Sequence, residues 1–475
     1  MPEIYRFYGG VHPPQAKIAS RAEIISAPLL ERYVVPLQMH IGAPARLLVQ
    51  KGSKVLRGQL LAEASSFVSA PIHAPTSGLI KEVTTCLGVL GNQLPAVILE
   101  SDGEDTPAER LAPLPNWQDC SPAELRQRIG EAGIVGMGGA AFPTVIKLSP
   151  PAEKKVDTLI INGVECEPCL TADHRLMLEN PEKILSGSLI CAHLLGVKRI
   201  LVGIEKNKLD AVALLSEKVL GSAIQVCPLE VRYPQGAEKQ LIYALTNRKV
   251  PTGGLPMDIG CVVQNVASVY AIAEAVLEGK PLYERVTTVT GTPIVAPGNW
   301  RFRVGTPYSE AIRLAGGVSE NPVKIISGGP MMGVSVYSLA IPISKNTSGI
   351  LLLAASEVSQ YQSKSCIRCG RCNDVCPMQL MPGILSVQIE NESFELAENW
   401  HVMDCMECGC CSYVCPASRP LVQHLRRAKA DVSALHRAAK AAEAAKAAKA
   451  VKAAKAAKAT ANAAASGNAP AADKN

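Results

Sequence analysis

Eight cysteines towards the end of the 475-residue chain carry its most specific chemistry. In "SCIRCGRCNDVCPMQL" they are Cys366, Cys369, Cys372 and Cys376, and in "DCMECGCCSYVCPASR" they are Cys405, Cys408, Cys411 and Cys415. Both copies separate the thiols by two, two and three residues and follow the last with a proline, Pro377 or Pro416. An iron–sulfur cube needs four converging thiolates, of which one tight turn can supply three when they recur every third residue. The fourth comes from elsewhere, and where two such segments fold together each completes the other's set. The expected ligands are therefore Cys366, Cys369, Cys372 and Cys415 for cluster 1, and Cys405, Cys408, Cys411 and Cys376 for cluster 2. Each proline lacks an amide hydrogen and fixes φ, which stops a helix from running into the neighbouring cluster. Zinc would use two ligand pairs and leave the third cysteine of each triplet idle. Disulfides belong to oxidising compartments, whereas "MPEIYRFYGG" lacks the charged start and apolar core of a secretory signal. Cys410 breaks the ligand register and is expected to pack beside a cluster as a bystander.

A second chemical stretch is "GIVGMGGAAFPTVIK", residues 133–147. Gly136, Gly138 and Ala141 fit a dinucleotide fingerprint as a pattern, but the residues before them read as a helix rather than the strand that fingerprint needs. The glycines permit backbone amides to approach a phosphate or a flat ring, with Lys147 available for charge. Further on, "NGVECEPCLTADHR" sets Glu165 and Glu167 two apart. On a continuing strand they would point the same way and could orient ribose hydroxyls or a nicotinamide amide; a solvated strand end is the other reading. Cys166 and Cys169 form a CxxC among carboxylates rather than at a helix start with basic neighbours, which argues against a redox pair.

The elements that would position these groups read as several domains, since 475 residues with 48% apolar content can build three or four cores. Residues 1–30 are an extended arm rich in Gly and Pro. Residues 31–105 alternate in short runs punctuated by Gly52, Gly58 and Gly78, as in a small all-β unit. "SPAELRQRIGEAG" is a capped helix with Ser121 as N-cap and Glu124 three residues on. Strand-like "DTLIING" and "KRILVGIE" flank helical "PEKILSGSLICAHLLG", an alternation that argues a parallel sheet with covering helices over 115–280. Residues 285–340 read as a compact β-plus-helix domain, 360–425 hold the cysteine block, and 430–475 are an Ala/Lys tail. From Leu435 onwards eight basic residues face two acidic ones, so the tail carries the whole formal charge of +6. The body is neutral and lacks the electrostatic footprint of a nucleic-acid binder. No run reaches the roughly 18 apolar residues that a membrane-spanning helix requires. Lysine at every third position winds around a helix, so two readings of the tail are open: a solvated extension, or an aid to binding an anionic membrane surface.

With these residues in view the chain shows resemblances. Residues 31–105 are similar to the barrel-sandwich fold of biotinyl and lipoyl carrier domains, but "EASSFVSAP" stands where those carriers present a lysine, so a structural role is expected. "GMGGAAFPTVIK" resembles the flavin loop of the NADH-oxidising flavoprotein subunit of respiratory complex I, and "NGVECEP" with "DHRLM" resembles its acidic segment. "YPQGAEKQLI" and "QNVAS" are similar to two further motifs of that family. The full order, with "GGVHPP" near the start, resembles the C-subunit family of the Rnf (also Rsx) electron-transport complexes over residues 1 to about 425.

The resemblance implies a multidomain α/β protein: a barrel-sandwich N-terminal domain, a complex I flavoprotein-like domain, a β-grasp-like (SLBB) domain and a two-cluster 4Fe-4S ferredoxin-like domain, followed by the tail. It implies an ion-translocating oxidoreductase subunit of the NADH/ferredoxin type, peripheral to the cytoplasmic face of a bacterial inner membrane. FMN and two 4Fe-4S clusters would be its cofactors, NADH its substrate, and integral membrane and ferredoxin-like subunits its partners. Gly136, Gly138, Gly139, Lys147, Asn162, Glu165 and Asn265 would hold FMN; Phe142, Glu167, Tyr233 and Glu238 would face the nicotinamide nucleotide, with Phe142 and Glu167 at the reacting side. The sequence departs from the complex I pattern at Met137, Val164 and Ala237, which replace an arginine, an aspartate and a glutamate. A module that keeps a redox-sensing transcription factor reduced, or a simple iron–sulfur carrier with a vestigial flavin loop, are the alternatives.

Overall fold

The computed structural model describes residues 6–109, 111–358 and 362–465. The N-terminal β unit is two facing sheets. One orders Arg32–Pro36, Gln93–Ser101, Gly78–Leu87 and Lys54–Val55; the other orders Arg46–Leu47, Leu60–Glu63 and Ile72–His73. Alternation along these strands sends Tyr33, Val35, Leu61, Ile80 and Leu99 into one shared core, each contributing on the order of 2 kcal/mol by burial. At the tip where a carrier lysine would stand, Phe67 is exposed.

The helix Pro122–Glu131 begins as its sequence demands: the Ser121 hydroxyl accepts from the Glu124 amide while the Glu124 carboxylate accepts from the Ser121 amide. No strand stands between it and the glycine loop. Four parallel strands follow, in the order Ile224–Leu229, Arg199–Glu205, Thr158–Asn162, Cys261–Asn265. The chain moves outwards from Thr158–Asn162 in one direction through two strands and then returns to its other side with Cys261–Asn265. A doubly wound sheet opens a crevice at such a reversal, beyond the carboxyl ends of the two strands. Helices Pro181–Leu195 and Val266–Leu277 cover one face and approach so closely that a Cβ on Gly187 would lie 1.9 Å from the Val269 carbonyl oxygen.

The next sheet has six strands and extends past the expected 285–340 unit at both ends. Gly349–Leu353 pairs in parallel with Glu284–Thr290, and the arm contributes Ile24–Ser26 alongside Gly298–Arg303. The arm thus belongs to another domain's sheet. Earlier in the arm, Val11 pairs with Tyr233 of the parallel-sheet domain, and the Gly10 amide donates to the Val375 carbonyl of the cysteine block at 2.8 Å. At Gly9, with φ +74°, a Cβ would fall 2.8 Å from the Val375 oxygen and 2.9 Å from the Cys376 carbonyl carbon. The "GG" is therefore what lets the arm lie against that loop.

The cysteine block packs on the start of one long helix, Leu421–Ala465. Leu421, Leu425, Ala428 and Val432 face its core, and from Arg437 to Val451 the helix is exposed. The expected boundary near 430 falls inside this continuous helix, because alanine sustains it after the packing ends. The last part of the tail, 466–475, lies outside the described residues. Among the described residues no helix is long and apolar enough to cross a membrane.

Candidate functional site

The two cysteine segments fold as repeats. Arg368 and Glu407, each two residues after a first cysteine, have φ of 55° and 60°; Gly370 and Gly409, each just after a second cysteine, have φ of 78° and 81°; Gln379 and Ser418, three beyond each last cysteine, have φ of 58° and 51°. Single-turn helices, Arg371–Asp374 and Cys410–Tyr413, then carry the third cysteines and end before the fourth. These left-handed turns aim three thiols inwards, and the packing of the two helices against each other carries each fourth cysteine across. The sulfurs of Cys366 and Cys372 lie together, 3.9 and 3.3 Å from where a Cβ on Gly383 would be, and Cys415 is the other cysteine beside Cys372. Cys376 sits among Cys405, Cys408 and Cys411. Cys366, Cys372 and Cys415 thus gather in one group and Cys376 joins Cys405, Cys408 and Cys411 in another, while Cys369 is exposed. Amides already point at sulfur: Leu380 N donates to Cys376 Sγ and Glu407 N to Cys405 Sγ, both at 3.3 Å. Burial pushes the Cys405 thiol up to about 12, a cost that binding to iron as thiolate would offset. Among the described residues no three His, Cys, Asp or Glu side chains close around a single metal ion.

The glycine loop lies at the sheet's reversal. Asn162 and Asn265 end the two strands that flank it and are direct register partners. A Cβ on Gly138 would touch the Asn265 Cβ at 3.3 Å, and the Met137 amide donates to Ser268 Oγ at 2.9 Å. Asn162 Nδ2 donates to the Gly236 carbonyl at 2.8 Å, and Lys147 Nζ is 2.7 Å from Glu238 Oε1. Gly138, Asn162 and Asn265 are thus neighbours, and Lys147 pairs with Glu238. Phe142, half-buried, closes the loop by accepting the Gly136 amide. Gly138, Gly139 and Ala140 are exposed, and among the described residues their amides meet no backbone acceptor.

Both places have counterparts in known proteins. Residues 5–104 match the RnfC barrel sandwich hybrid domain, 129–274 the Nuo51 FMN-binding domain, 286–335 the SLBB domain and 359–416 the 4Fe-4S dicluster domain. The C-subunit of a proton-translocating ferredoxin:NAD(+) oxidoreductase complex from Clostridium ljungdahlii is 47% identical, covering 92% of this chain and 96% of that one. The C-subunit of the Na(+)-translocating complex from Acetobacterium woodii is 44% identical over 91% and 98% of the two chains. The chain belongs to the C-subunit family of ion-translocating oxidoreductase complexes. The C-subunit of the ion-translocating oxidoreductase complex from Rhodobacter capsulatus is 43% identical over 90% and 83%. Among solved structures, an NAD+-reducing NiFe-hydrogenase in its H2-reduced state is 18% identical with a TM-score of 0.49, over 67% and 64%.

In this member of the C-subunit family the residues fit FMN and two 4Fe-4S clusters. The exposed amides beside Lys147 suit an anionic flavin phosphate, and the paired thiol sets with their amide donors suit the cubes. Three expected flavin or nucleotide ligands are placed differently. The strand ends at Asn162 and Glu165 has φ +47°, so Glu165 and Glu167 do not share a strand face. Neither is a solvated strand end. The Glu165 carboxylate instead caps the helix Ala172–Glu179, accepting the amides of Asp173 at 2.8 Å and His174 at 3.3 Å. Glu167 accepts from Met331 N at 3.0 Å and Met332 N at 2.7 Å, which ties it to the SLBB domain. Tyr233, 2% exposed, donates its hydroxyl to the Cys408 carbonyl at 2.8 Å. Glu165 is thus engaged within its own domain, and Glu167 and Tyr233 are engaged by neighbouring ones. Cys410 is buried between Tyr233 and Cys408. Burial keeps Cys169 protonated by raising its thiol to about 11, in line with a CxxC that is no redox pair.

Several residues at the crevice had no signal in the sequence. Arg285, fully buried, donates to the Met137 carbonyl at 3.0 Å, and Asn346 Nδ2 donates to the Gly139 carbonyl at 3.0 Å. Both come from the SLBB side. Asp173 accepts from Asn265 Nδ2 at 2.7 Å; burial first, then Glu165, lift its carboxyl to about 6. Lys17 of the arm donates to the carbonyls of Glu165, Glu167 and Leu170 at 3.0, 3.1 and 2.7 Å, fixing the acidic loop from outside.

Proposed function

We propose that this chain is the peripheral electron-transfer subunit of an ion-translocating ferredoxin:NAD(+) oxidoreductase complex, passing electrons between a nicotinamide nucleotide and partner subunits that move the ion. When bound, FMN exchanges electron pairs with NADH while each 4Fe-4S cluster carries one electron. Gly136, Gly138, Gly139 and Lys147 would hold the flavin phosphate, with Asn162 and Asn265 beneath the ring and Phe142 and Glu238 at the nucleotide side. Cluster 2 is the inner relay and cluster 1 the outer one.

The observation that carries this reading is a gradient of burial. Cys376, Cys408 and Cys411 are buried, Cys408 beside Tyr233 of the flavin-type domain, and Cys405 is half-buried, whereas Cys369 is exposed and Cys366, Cys372 and Cys415 are only half-buried. Electrons entering at the crevice meet cluster 2 first, and cluster 1 faces outwards to a partner. On this reading the chain sits on the cytoplasmic face of the inner membrane, where NADH and ferredoxin are, and is held there by the other subunits. Anaerobic titration of purified protein with NADH, following flavin and cluster absorbance together, tests it. Flavin bleaching with cluster reduction is expected. Protein with both clusters that binds no FMN and is untouched by NADH would instead be a simple carrier.

A further inference from the structure

The chain contains a junction that the expected flavin chemistry leaves unexplained. Tyr233 is buried where three domains meet, and its backbone is pinned by the arm: Val11 N donates to its carbonyl at 2.8 Å and its own amide donates to Val11 at 2.9 Å. Its hydroxyl has one proton and two acceptors in reach, the Cys408 carbonyl at 2.8 Å and Glu167 Oε1 at 3.4 Å. The shorter and better contact is to Cys408. Glu167 is already held by two amides of residues 331 and 332, and a Cβ on Gly329 would fall 2.3 Å from Glu167 Oε2, so only glycine leaves room there for the carboxylate. The same SLBB segment approaches the cluster loop directly, since a Cβ on Gly409 would lie 3.1 Å from the Met331 carbonyl oxygen. On the other side Cys410 Sγ rests 3.9 Å from the Tyr233 carbonyl.

We propose that Tyr233 is a positioning residue for cluster 2, holding the Cys408 loop against the flavin-type domain and raising that cluster's reduction potential through its hydroxyl. This rests on the two-cluster reading above but not on NADH as the electron source. Reduction adds negative charge to the cube and its cysteine ligands, and a donor directed at a ligand residue stabilises the charged state. The hydroxyl dipole points its positive end at Cys408 and stands between that residue and the Glu167 carboxylate. Without it, a buried carbonyl loses its donor and the carboxylate acts on the cluster unopposed; both changes disfavour the reduced cluster. Among the described residues no tyrosine hydroxyl donates to the corresponding carbonyl of cluster 1, whose second cysteine, Cys369, is exposed.

The test is a mediated redox titration of the full protein, read by EPR and without NADH. Cluster 2 is identified as the signal lost in Cys405→Ala. Tyr233→Phe removes one oxygen and keeps the ring. It should retain the iron of both clusters and shift the one-electron equilibrium of cluster 2 towards the oxidised form by roughly fivefold, the effect of one modest hydrogen bond, while cluster 1 keeps its midpoint. Should Tyr233→Phe lose cluster 2 iron alone, the hydroxyl only holds the loop in place and the proposed tuning of the potential is overturned. An unchanged or raised cluster 2 midpoint overturns the proposal, as does an equal shift of both clusters or loss of iron from both.

Discussion

Asp173 shares its crevice with a second carboxylate, and that proximity has a measurable cost. Its ordinary pKa of 3.8 rises to about 6 in the folded chain, from burial first and Glu165 second. Between those values the folded state holds a proton that the unfolded chain has released, so stability falls as pH rises through that window, and the full cost is present at pH 7. Asparagine can still accept from Asn265 and carries no charge. Asp173→Asn should therefore be more stable than the parent by roughly 3 kcal/mol at neutral pH, with the difference closing towards pH 4. Urea denaturation of both proteins at the two pH values checks this, and a gap that ignores pH would refute it. The aspartate was visible in "DHR" as a residue but not as a partner of Asn265, which is far away in sequence. Glu165 and Glu167 show the opposite failure: their spacing was legible, yet the place where the strand stops, and the left-handed turn at Glu165, are set by Lys17 and the helix behind them.

Elements were most legible where a repeat constrained them. The cysteine spacing implied crossed ligand sets, and the structure supplies the reason in turns that repeat at matching offsets in both copies. It follows that a single substitution in one segment should disable the cluster named by the other. Cys415→Ala is expected to lose the same iron and the same EPR signal as Cys366→Ala, while Cys376→Ala should lose the signal that Cys405→Ala loses. If Cys415→Ala matched Cys405→Ala instead, each segment would hold its own cluster and the crossing would be wrong. The capped helix at Ser121 was legible because its cap is local. The six-stranded sheet was not, because its outer strand comes from the arm, and a pairing between residues 24–26 and 299–301 leaves no mark on either stretch alone.

For the whole molecule, the tail and the arm behave in opposite ways. The helix Leu421–Ala465 packs through Val432, and His436 still meets Glu398 at 2.8 Å, but Lys440, Lys446 and Lys449 beyond it are exposed. A rise of about 1.5 Å per residue makes the 45-residue helix about 68 Å long. Deleting residues 441–475 should leave iron content, flavin content and the thermal midpoint as they were, and should shorten the maximum dimension seen by small-angle X-ray scattering. A fall of several degrees in the midpoint would mean that the tail folds back onto the body.

The arm, by contrast, is made well before the loop it rests on. Gly9 and Gly10 leave the ribosome early, but the carbonyl and loop they seat on, at Val375 and Cys376, follow several hundred residues later. At roughly 5–20 residues per second the leading strand waits on the order of 20 to 70 seconds for its dock. Its apolar Phe7 and Val11, buried in the finished protein, meet Arg232 and Tyr233 earlier, but the two glycines wait for the whole interval. The contacts that seat Gly9 and Gly10 on this loop therefore close only after the first cysteine segment has been made.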